Sequence, residues 1–251
     1  MKQLVFLILI SSMLFAGCRK DQLNDCFQGT GADKTETRFP GSFTKIKIGE
    51  NFDIKLTQDT TLPEAVTITC GKNIIGQIVS KVKNSTLTIE NKNTCNFVRS
   101  YDRKVTIEIR VRFIDDIEIF SVSNLHSDDT IFFKNRPNEA IKIKNFGLGD
   151  INLKVFTGFL ELRSINSGNI ILEGRSNILG CSIEEVTTLD ARNLDCDDVY
   201  IDLHSPLDCY VNARNILVAK IFNDGNVYYL KTPSVKLELA AKEGNGNLIK
   251  M

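Results

Sequence analysis

Five side chains in one short segment carry groups that could perform acid–base chemistry: Asp195, Asp197, Asp198, Asp202 and His204. Alternation with apolar residues predicts that Asp198 and Asp202 share the outward face of a strand, with His204 two residues further on. Paired carboxylates with a histidine could act as general acid and base in cleaving a polysaccharide. The other interpretation, which we favour, is a solvated strand face, because charged outward positions are the rule.

Aromatic side chains near this segment could contribute to binding. Tyr200 shares the outward face with the two aspartates, and Tyr210, Tyr228 and Phe222 could stack on sugar rings. Cross-strand packing on the outside of a sheet explains Tyr210 and Tyr228 equally well.

The sequence predicts no metal and no cofactor. Asp195, Asp197 and Asp198 could offer oxygen ligands to Ca²⁺, but the nine-residue calcium repeat with paired glycines is absent. No cysteine–histidine spacing typical of zinc occurs, and no nucleophile-elbow or phosphate-binding motif is present. His126 has no cysteine or histidine nearby, and we expect it in an exposed loop.

The N-terminus predicts export and a lipid anchor. Residues 1–17 combine a short basic start, an apolar run and small residues before Cys18, as in a lipoprotein signal peptide. Cys18 is the expected site of lipid attachment, with acyl chains such as palmitate, and two or three chains would anchor the protein stably. The alternative is an ordinary signal peptide that happens to precede a free cysteine.

We expect residues 18–38 to form the anchor and tether and residues 39–251 to form one β-rich domain. The charged run Arg19–Asp25 resembles the export signal of surface-exposed lipoproteins, although a solvated linker explains it as well. The predicted location is the cell envelope at the outer membrane, and the charged run would be consistent with exposure at the cell surface. Basic and acidic side chains balance at 31 each, and no basic-aromatic patch indicates nucleic acid.

The remaining cysteines divide by their surroundings. Cys70, Cys181 and Cys209 fall on inward strand positions and are expected to be buried. Cys26 and Cys95 lie in irregular polar segments and are the best candidates for a disulfide in an exported protein. Two free thiols, or pairing of one of them with Cys70, remain open.

A short repeat, whose copies are spaced about 20 residues apart, organises the second half of the chain. One apolar column reads Ile151, Ile170, Leu189, Cys209, Val227 and Leu248, and the residue before each is a small polar turn-former. A second series of alternating apolar residues follows in each copy, for example Leu160 and Leu162. Glycine at the corner before several copies would permit positive φ.

Stacking these columns predicts an all-β chain folded as a parallel β-solenoid, or β-helix, with about 20 residues per turn. Residues 39–120 also alternate as strands, and Lys72–Ser80 could hold one helical turn. An antiparallel sandwich with coincidental spacing is the alternative.

Three segments carry a family resemblance: Asp25–Gly31, Asn51–Gln58 and Asn91–Tyr101. Together with the Gly-Asp/Asn-Ile repeats, they resemble the putative auto-transporter adhesin, head GIN domain family of bacterial lipoproteins, over about residues 25–250. The resemblance implies a β-helical fold similar to pectin-lyase-like solenoids, no catalytic residues and a role in adhesion. Thr187, Leu207 and Ser123 depart from the repeat glycines.

We therefore expect a lipid-anchored binding or structural protein that is not an enzyme and that acts in adhesion or glycan contact. Its expected partners are the membrane, through the lipid, and a glycan or a surface protein of the envelope or host. The rival interpretation is a carbohydrate-active enzyme, a polysaccharide lyase or hydrolase, that uses the face from Asp198 to His204. A scaffold for another envelope protein is a third possibility, and the sequence does not specify the oligomeric state.

Overall fold

A computed structural model of the chain describes residues 29–93, 105–133 and 140–251. Cys18, Cys26 and Cys95 lie outside these ranges. The described chain is all-β, as predicted, and its only helical element is a three-residue 3-10 helix, Ile75–Gln77, within the predicted helical segment. That helix is too short to span a membrane, and no other helix in these ranges could do so.

The N-terminal part mixes antiparallel and parallel pairing. Three pairings are antiparallel: β1 with β4, β4 with β7, and β5 with β6. The strands β2 and β3 each pair in parallel with two strands that come later in the chain. The bounds are β1 (Asp33–Arg38), β2 (Lys45–Ile48), β3 (Phe52–Gln58), β4 (Ala65–Gly71), β5 (Ile78–Lys83), β6 (Thr86–Asn91), β7 (Val105–Val111) and β8 (Asp116–Ile119).

The later strands follow the repeat. They are β9 (Asn124–His126), β10 (Ile131–Phe132), β11 (Ile141–Asn145), β12 (Ile151–Ser164), β13 (Ser167–Ile183), β14 (Val186–Asp190), β15 (Leu194–Leu203), β16 (Cys209–Val211), β17 (Ala213–Ile221), β18 (Val227–Tyr229), β19 (Lys236–Lys242) and β20 (Leu248–Lys250). From β8 onward, every pairing between these strands is parallel.

The predicted apolar column is confirmed residue by residue. Ile151 pairs with Ile170, Ile170 with Leu189, and Leu189 with Cys209, and the series continues through Val227 to Leu248. Ile170 is fully buried whereas Asn169, one residue earlier, is exposed. The second predicted series also aligns, since Leu160 pairs with Leu179 and Leu162 with Cys181. Burial of both series on one side gives a continuous hydrophobic core.

The polar column beside the apolar one joins successive repeats through side chains. Asp150 Oδ1 accepts hydrogen bonds from the backbone N–H of Asn169 at 2.8 Å and from its Nδ2 at 3.1 Å. Asp208 accepts the same two bonds from Asn226 at 2.8 and 3.0 Å. In each pair, the bond from the backbone N–H satisfies a donor that the corner would otherwise leave without a partner. The column of turn-forming residues therefore fixes the spacing between repeats.

At Gly149 and Gly246 the repeat glycine is required for close approach rather than for positive φ, which corrects the sequence expectation at these two corners. A Cβ at Gly149 would lie 1.8 Å from the carbonyl oxygen of Ser123, and one at Gly246 would lie 2.0 Å from that of Gly225. Neither Gly149 nor Gly246 has positive φ. The backbone of the preceding repeat occupies the space that a side chain would need.

Two other expectations are corrected. His126 ends β9, between Lys55 and Asn152, and is half-buried rather than in an exposed loop. β1 pairs with β4, so regular structure begins at Asp33, before the boundary expected at residue 39. Hydroxyl pairs on the two strands, such as Thr35 with Thr69 at 2.9 Å, stabilise this polar strand, which carries little hydrophobic signal.

An ion-pair network covers part of the outer surface. Lys144 Nζ on β11 lies 2.7 Å from a carboxylate oxygen of Glu118 and 3.3 Å from one of Asp116, both on β8. All three side chains are at most 28% exposed. The hydrogen bond that Lys144 donates to Glu118 is the main cause that raises the pKa of Lys144. The network links two neighbouring repeats from outside the core.

Candidate functional site

The predicted outward face of β15 is present. Val199, Ile201 and Leu203 are buried, and the residues between them, Tyr200 and Asp202, point to the other side of the strand. Asp198, Tyr200 and Asp202 therefore share the outer surface, as the alternation predicted.

The acidic groups of this face are spread out rather than brought together. Asp198 and Asp202 are four residues apart on one extended strand, which places their Cα atoms about 13 Å apart at about 3.3 Å per residue. Paired catalytic carboxylates in glycosidases lie roughly 5 to 9.5 Å apart. Asp202 forms an ion pair with Lys220 at 3.3 Å. The two aspartates are therefore poorly placed to act on one glycosidic bond.

His204 lies beyond the end of β15 and takes part in a different arrangement. Its ring stacks on Phe222, with centroids 4.3 Å apart and planes 7° from parallel. It also lines a recess of about 370 Å³ with Glu184, Glu185 and Asn223. Asp198 is about 20 Å away along the chain, at the extended-strand rise per residue. The histidine and Asp198 thus do not form one site.

The neighbouring acids Asp195 and Asp197 are neutralised by arginines. Arg175 lies 3.2 Å from Asp195 and donates to both oxygens of Asp197, at 2.9 and 3.0 Å, and Arg214 also pairs with Asp195. The hydrogen bond to Asp197 is the main cause that raises the pKa of Arg175. In the described ranges no group of three or more His, Cys, Asp and Glu residues could hold a metal ion.

The exposed Tyr200 and the partly exposed Asp198 lie between apolar residues of the two adjacent strands. Tyr200 is 43% exposed and lies between Gly180 and Val218 on the adjacent strands. Asp198 lies between Ile178 and Ile216. We call this surface, made of Asp198, Tyr200 and these four neighbours, the β15 platform.

The two central side chains of the β15 platform are available to a ligand. Within the part of the chain that the structure describes, the carboxylate of Asp198 makes no hydrogen bond or ion pair, and the ring of Tyr200 stacks on no other ring. Gly180 places no side chain beside Tyr200, and a Cβ at this position would lie 3.5 Å from the ring of Phe159. The sequence contains the apolar residues that surround Asp198, but they can be recognised as its neighbours only when the strand register is known.

Tyr210 and Tyr228 form a closed stack instead of an open binding surface. Their centroids are 5.2 Å apart with planes 16° from parallel, and the guanidinium of Arg192 lies 4.8 Å from the centroid of Tyr210. Arg192 is held by Asp190, and its hydrogen bond is the main cause that lowers the pKa of that carboxyl. Cross-strand packing therefore accounts for these two rings, since each covers a face of the other.

All four described cysteines are buried free thiols. Cys70, Cys181 and Cys209 occupy the inward positions that the alternation predicted, and Cys196 joins them in the core. Burial raises the pKa of Cys209 to about 12 and that of Cys196 to about 12. These thiols are therefore protonated at neutral pH and inert as nucleophiles.

Comparisons with known proteins agree on one family and one fold. The model of the family described as "Putative auto-transporter adhesin, head GIN domain" matches residues 42–233. A putative adhesin from Bacteroides fragilis has a crystal structure that matches with a TM-score of 0.80 at 22% identity, covering 89% of this chain and all (100%) of that one.

Two further crystal structures are similar. A putative adhesin from Parabacteroides merdae matches with a TM-score of 0.63 at 16% identity, covering 89% of this chain and 98% of that one. A putative lipid binding protein from Parabacteroides distasonis matches with a TM-score of 0.59 at 15% identity, covering 88% of this chain and 97% of that one. At these identities the likeness shows a shared fold alone. No curated protein matches the chain.

Proposed function

Because the chain belongs to the family described as Putative auto-transporter adhesin, head GIN domain, we propose that it is a lipid-anchored envelope protein that binds a glycan without cleaving it. The observation that carries this proposal is the β15 platform, where the exposed ring of Tyr200 and the carboxylate of Asp198 project side by side from a flat sheet. Family membership supports a role in adhesion at the cell envelope or surface.

The architecture that we propose for residues 39–251, with β1 added to its edge, is a parallel β-solenoid of about 20 residues per turn. The parallel pairing of successive repeats supports it, because an antiparallel sandwich would join neighbouring strands in opposite directions. Side-chain ladders such as Asp150 to Asn169 add bonds along the same axis. A solenoid displays long, flat outer faces, and such surfaces suit an extended polymer.

The chemistry of the β15 platform fits a sugar ring. An aromatic ring can cover the apolar C–H face of a pyranose, and a carboxylate can accept hydrogen bonds from its hydroxyl groups. Ile178 and Ile216 flank Asp198 on the adjacent strands, and apolar neighbours strengthen a hydrogen bond that a carboxylate accepts. A tyrosine loses little conformational entropy when it is immobilised, which favours it as an anchor for binding.

Binding without cleavage is favoured over catalysis by the spacing of the acidic groups. Asp202 lies about 13 Å from Asp198, beyond the range that glycosidases use. Asp195 and Asp197 are held in ion pairs with arginines, and His204 belongs to another recess. The names of the similar crystal structures, putative adhesins, support the same conclusion. A lyase or hydrolase using the face from Asp198 to His204 remains the alternative function.

In this proposal a lipid on Cys18 anchors the protein. Cys18 becomes the first residue when residues 1–17 are removed as a signal peptide. The apolar run and the small residues before Cys18 support it. The expected site is the outer membrane, with the platform held away from the lipid by the polar residues that follow Cys18. A disulfide between Cys26 and Cys95 would fasten this segment to the body of the protein.

The test is a glycan array probed with the full chain in detergent, covering plant, bacterial and mucin-type polysaccharides. We expect the wild type to retain one class of glycan, and Tyr200→Ala and Asp198→Asn each to weaken that binding at least about tenfold, as loss of a central contact would. Phe156→Ala is the matched control, since this ring is 51% exposed but lies on β12. Its binding should equal that of the wild type.

Two results would overturn the proposal. Unchanged binding of both platform variants would place the glycan site elsewhere, and failure of the wild type to bind any glycan would favour a protein partner or a scaffold. Circular dichroism and thermal midpoints of the variants separate a lost contact from a lost fold, because all three changes are at partly exposed positions.

A further inference from the structure

The last repeat leaves the hydrophobic core open at one edge. In the described ranges β19 pairs only with β17, and β20 pairs only with β18. Leu237 and Leu239 continue the inward series of Leu217 and Ala219, which are fully buried. Yet Leu237 is 39% and Leu239 38% exposed, because no described strand pairs with the far side of β19. Apolar side chains and unpaired backbone groups therefore coincide at this edge.

The two edge strands at the other end of the sheet differ from β19. No large apolar side chain on β1 or β5 is among the exposed ones, and β1 carries alternating charges that discourage pairing. The helical turn at Ile75–Gln77 and its buried neighbour Ile74 cover the core near β5. Among the described edges β1, β5 and β19, it is therefore β19 that presents exposed leucines to another strand.

The sequence along β19 is complementary to itself. Val235, Lys236, Leu237, Glu238 and Leu239 alternate as apolar, basic, apolar, acidic, apolar. If two copies pair antiparallel about Leu237, then Lys236 faces Glu238 of the other copy, Val235 faces Leu239, and Leu237 faces itself. Opposite charges and apolar groups directly across two antiparallel strands stabilise the pair.

The geometry of the edge permits this register. Pairing with β17 is regular from Ile216–Lys236 to Ala219–Leu239, and the irregularity begins only after Leu239. Val235 is 73% exposed, so the segment is accessible over its whole length. Lys236 and Glu238 already form an ion pair within one chain at 2.5 Å, which shows that both side chains occupy the same outward face.

We propose that this edge, residues 235–239, is the docking site for a second copy of the chain, which adds its own residues 235–239 in antiparallel orientation. The contact is two-fold symmetric, with each copy giving and receiving the same surface, so it closes as a dimer. The unlike edge at the other end of the sheet prevents growth into a fibre. The dimer places two β15 platforms in one assembly, which raises avidity for a repeating polymer.

The test measures the mass of the full chain, solubilised in detergent, by light scattering over a range of concentrations. We expect the wild type to have twice the mass of one chain, and Leu237→Lys to be a monomer, because it places two lysines opposite each other at the two-fold axis. Val122→Lys is the matched control: this side chain is 48% exposed but lies between β8 and β9, so the dimer should persist.

Charge exchange then tests the register itself. Lys236→Glu or Glu238→Lys alone sets like charges across the interface in two places and should raise the dissociation constant about tenfold or more. The double exchange, Lys236→Glu with Glu238→Lys, restores every facing pair and should restore the dimer. A monomeric wild type, or a dimer that survives Leu237→Lys, would overturn the proposal. A double exchange as weak as the single ones would refute the register.

Discussion

The substitution Ile170→Ala tests the register of the repeat against a control on the same strand. Ile170 is fully buried between Ile151 and Leu189, whereas its neighbour Ile171 is 37% exposed on the outer face. Truncating a buried isoleucine to alanine costs about 2–5 kcal/mol, from lost transfer free energy and the cavity that remains. Ile171→Ala removes the same atoms and the same strand propensity at an outward position, and we expect it to cost about 1 kcal/mol or less.

The assay is urea unfolding of the full chain and of both variants, followed by circular dichroism. The expected difference of about 3 kcal/mol should appear as a lower midpoint for Ile170→Ala with an unchanged slope, and as a thermal midpoint lower by about 10 °C. Equal destabilisation by the two substitutions would refute the reasoning, because a shift of one residue in register exchanges the inward and outward faces.

Three further expectations concern the surface network and the N-terminal segment. Lys144→Met should destabilise the protein by about 1 kcal/mol at neutral pH, since Lys144 has two partly buried carboxylate partners. The folded state raises the pKa of Lys144 above its ordinary 10.5, so this stabilisation is complete below pH 10.5 and is lost as the pH rises through the folded pKa. Urea titrations of the wild type and the variant at pH 7 and pH 11 measure this loss. A difference in stability that does not change with pH would contradict the prediction. Cys18→Ser should move the protein from the detergent phase to the aqueous phase in partitioning, and a variant that stays in the detergent phase would refute the lipid anchor. Peptide mapping without reductant should recover Cys26 joined to Cys95, a bond that would stabilise by about 4 kcal/mol in the chain-entropy model, whereas alkylation of both thiols in the folded protein would exclude it.

The repeat columns could be predicted because each combines two independent periodicities. Ile170 and Leu189 stand at the same place in neighbouring copies, and both also fit the alternation of a strand. The sequence alone therefore predicts the burial and the register of these residues. β1 was missed because its sequence, from Asp33 to Arg38, is polar throughout, and its position is fixed by pairing with β4 rather than by burial.

The candidate site was only partly predictable. The outward placement of Asp198, Tyr200 and Asp202 follows from alternation along one strand. The apolar surroundings of Asp198 come from neighbouring strands about 20 residues away in sequence, and their alignment needs the exact pairing. The contact between the guanidinium of Arg192 and the ring of Tyr210 could not be predicted either, because the two residues belong to different repeats.

Binding without turnover is the central claim, and it is tested most directly by recovering the bound polysaccharide. The glycan that the array selects is incubated with the full chain, eluted from it, and measured by mass spectrometry for chain length and for new unsaturated or reducing ends. We expect the glycan to be retained by the wild type, released by Tyr200→Ala, and recovered at its original length. Shortened chains or new ends that depend on Asp198 would contradict the account and establish a lyase or hydrolase instead.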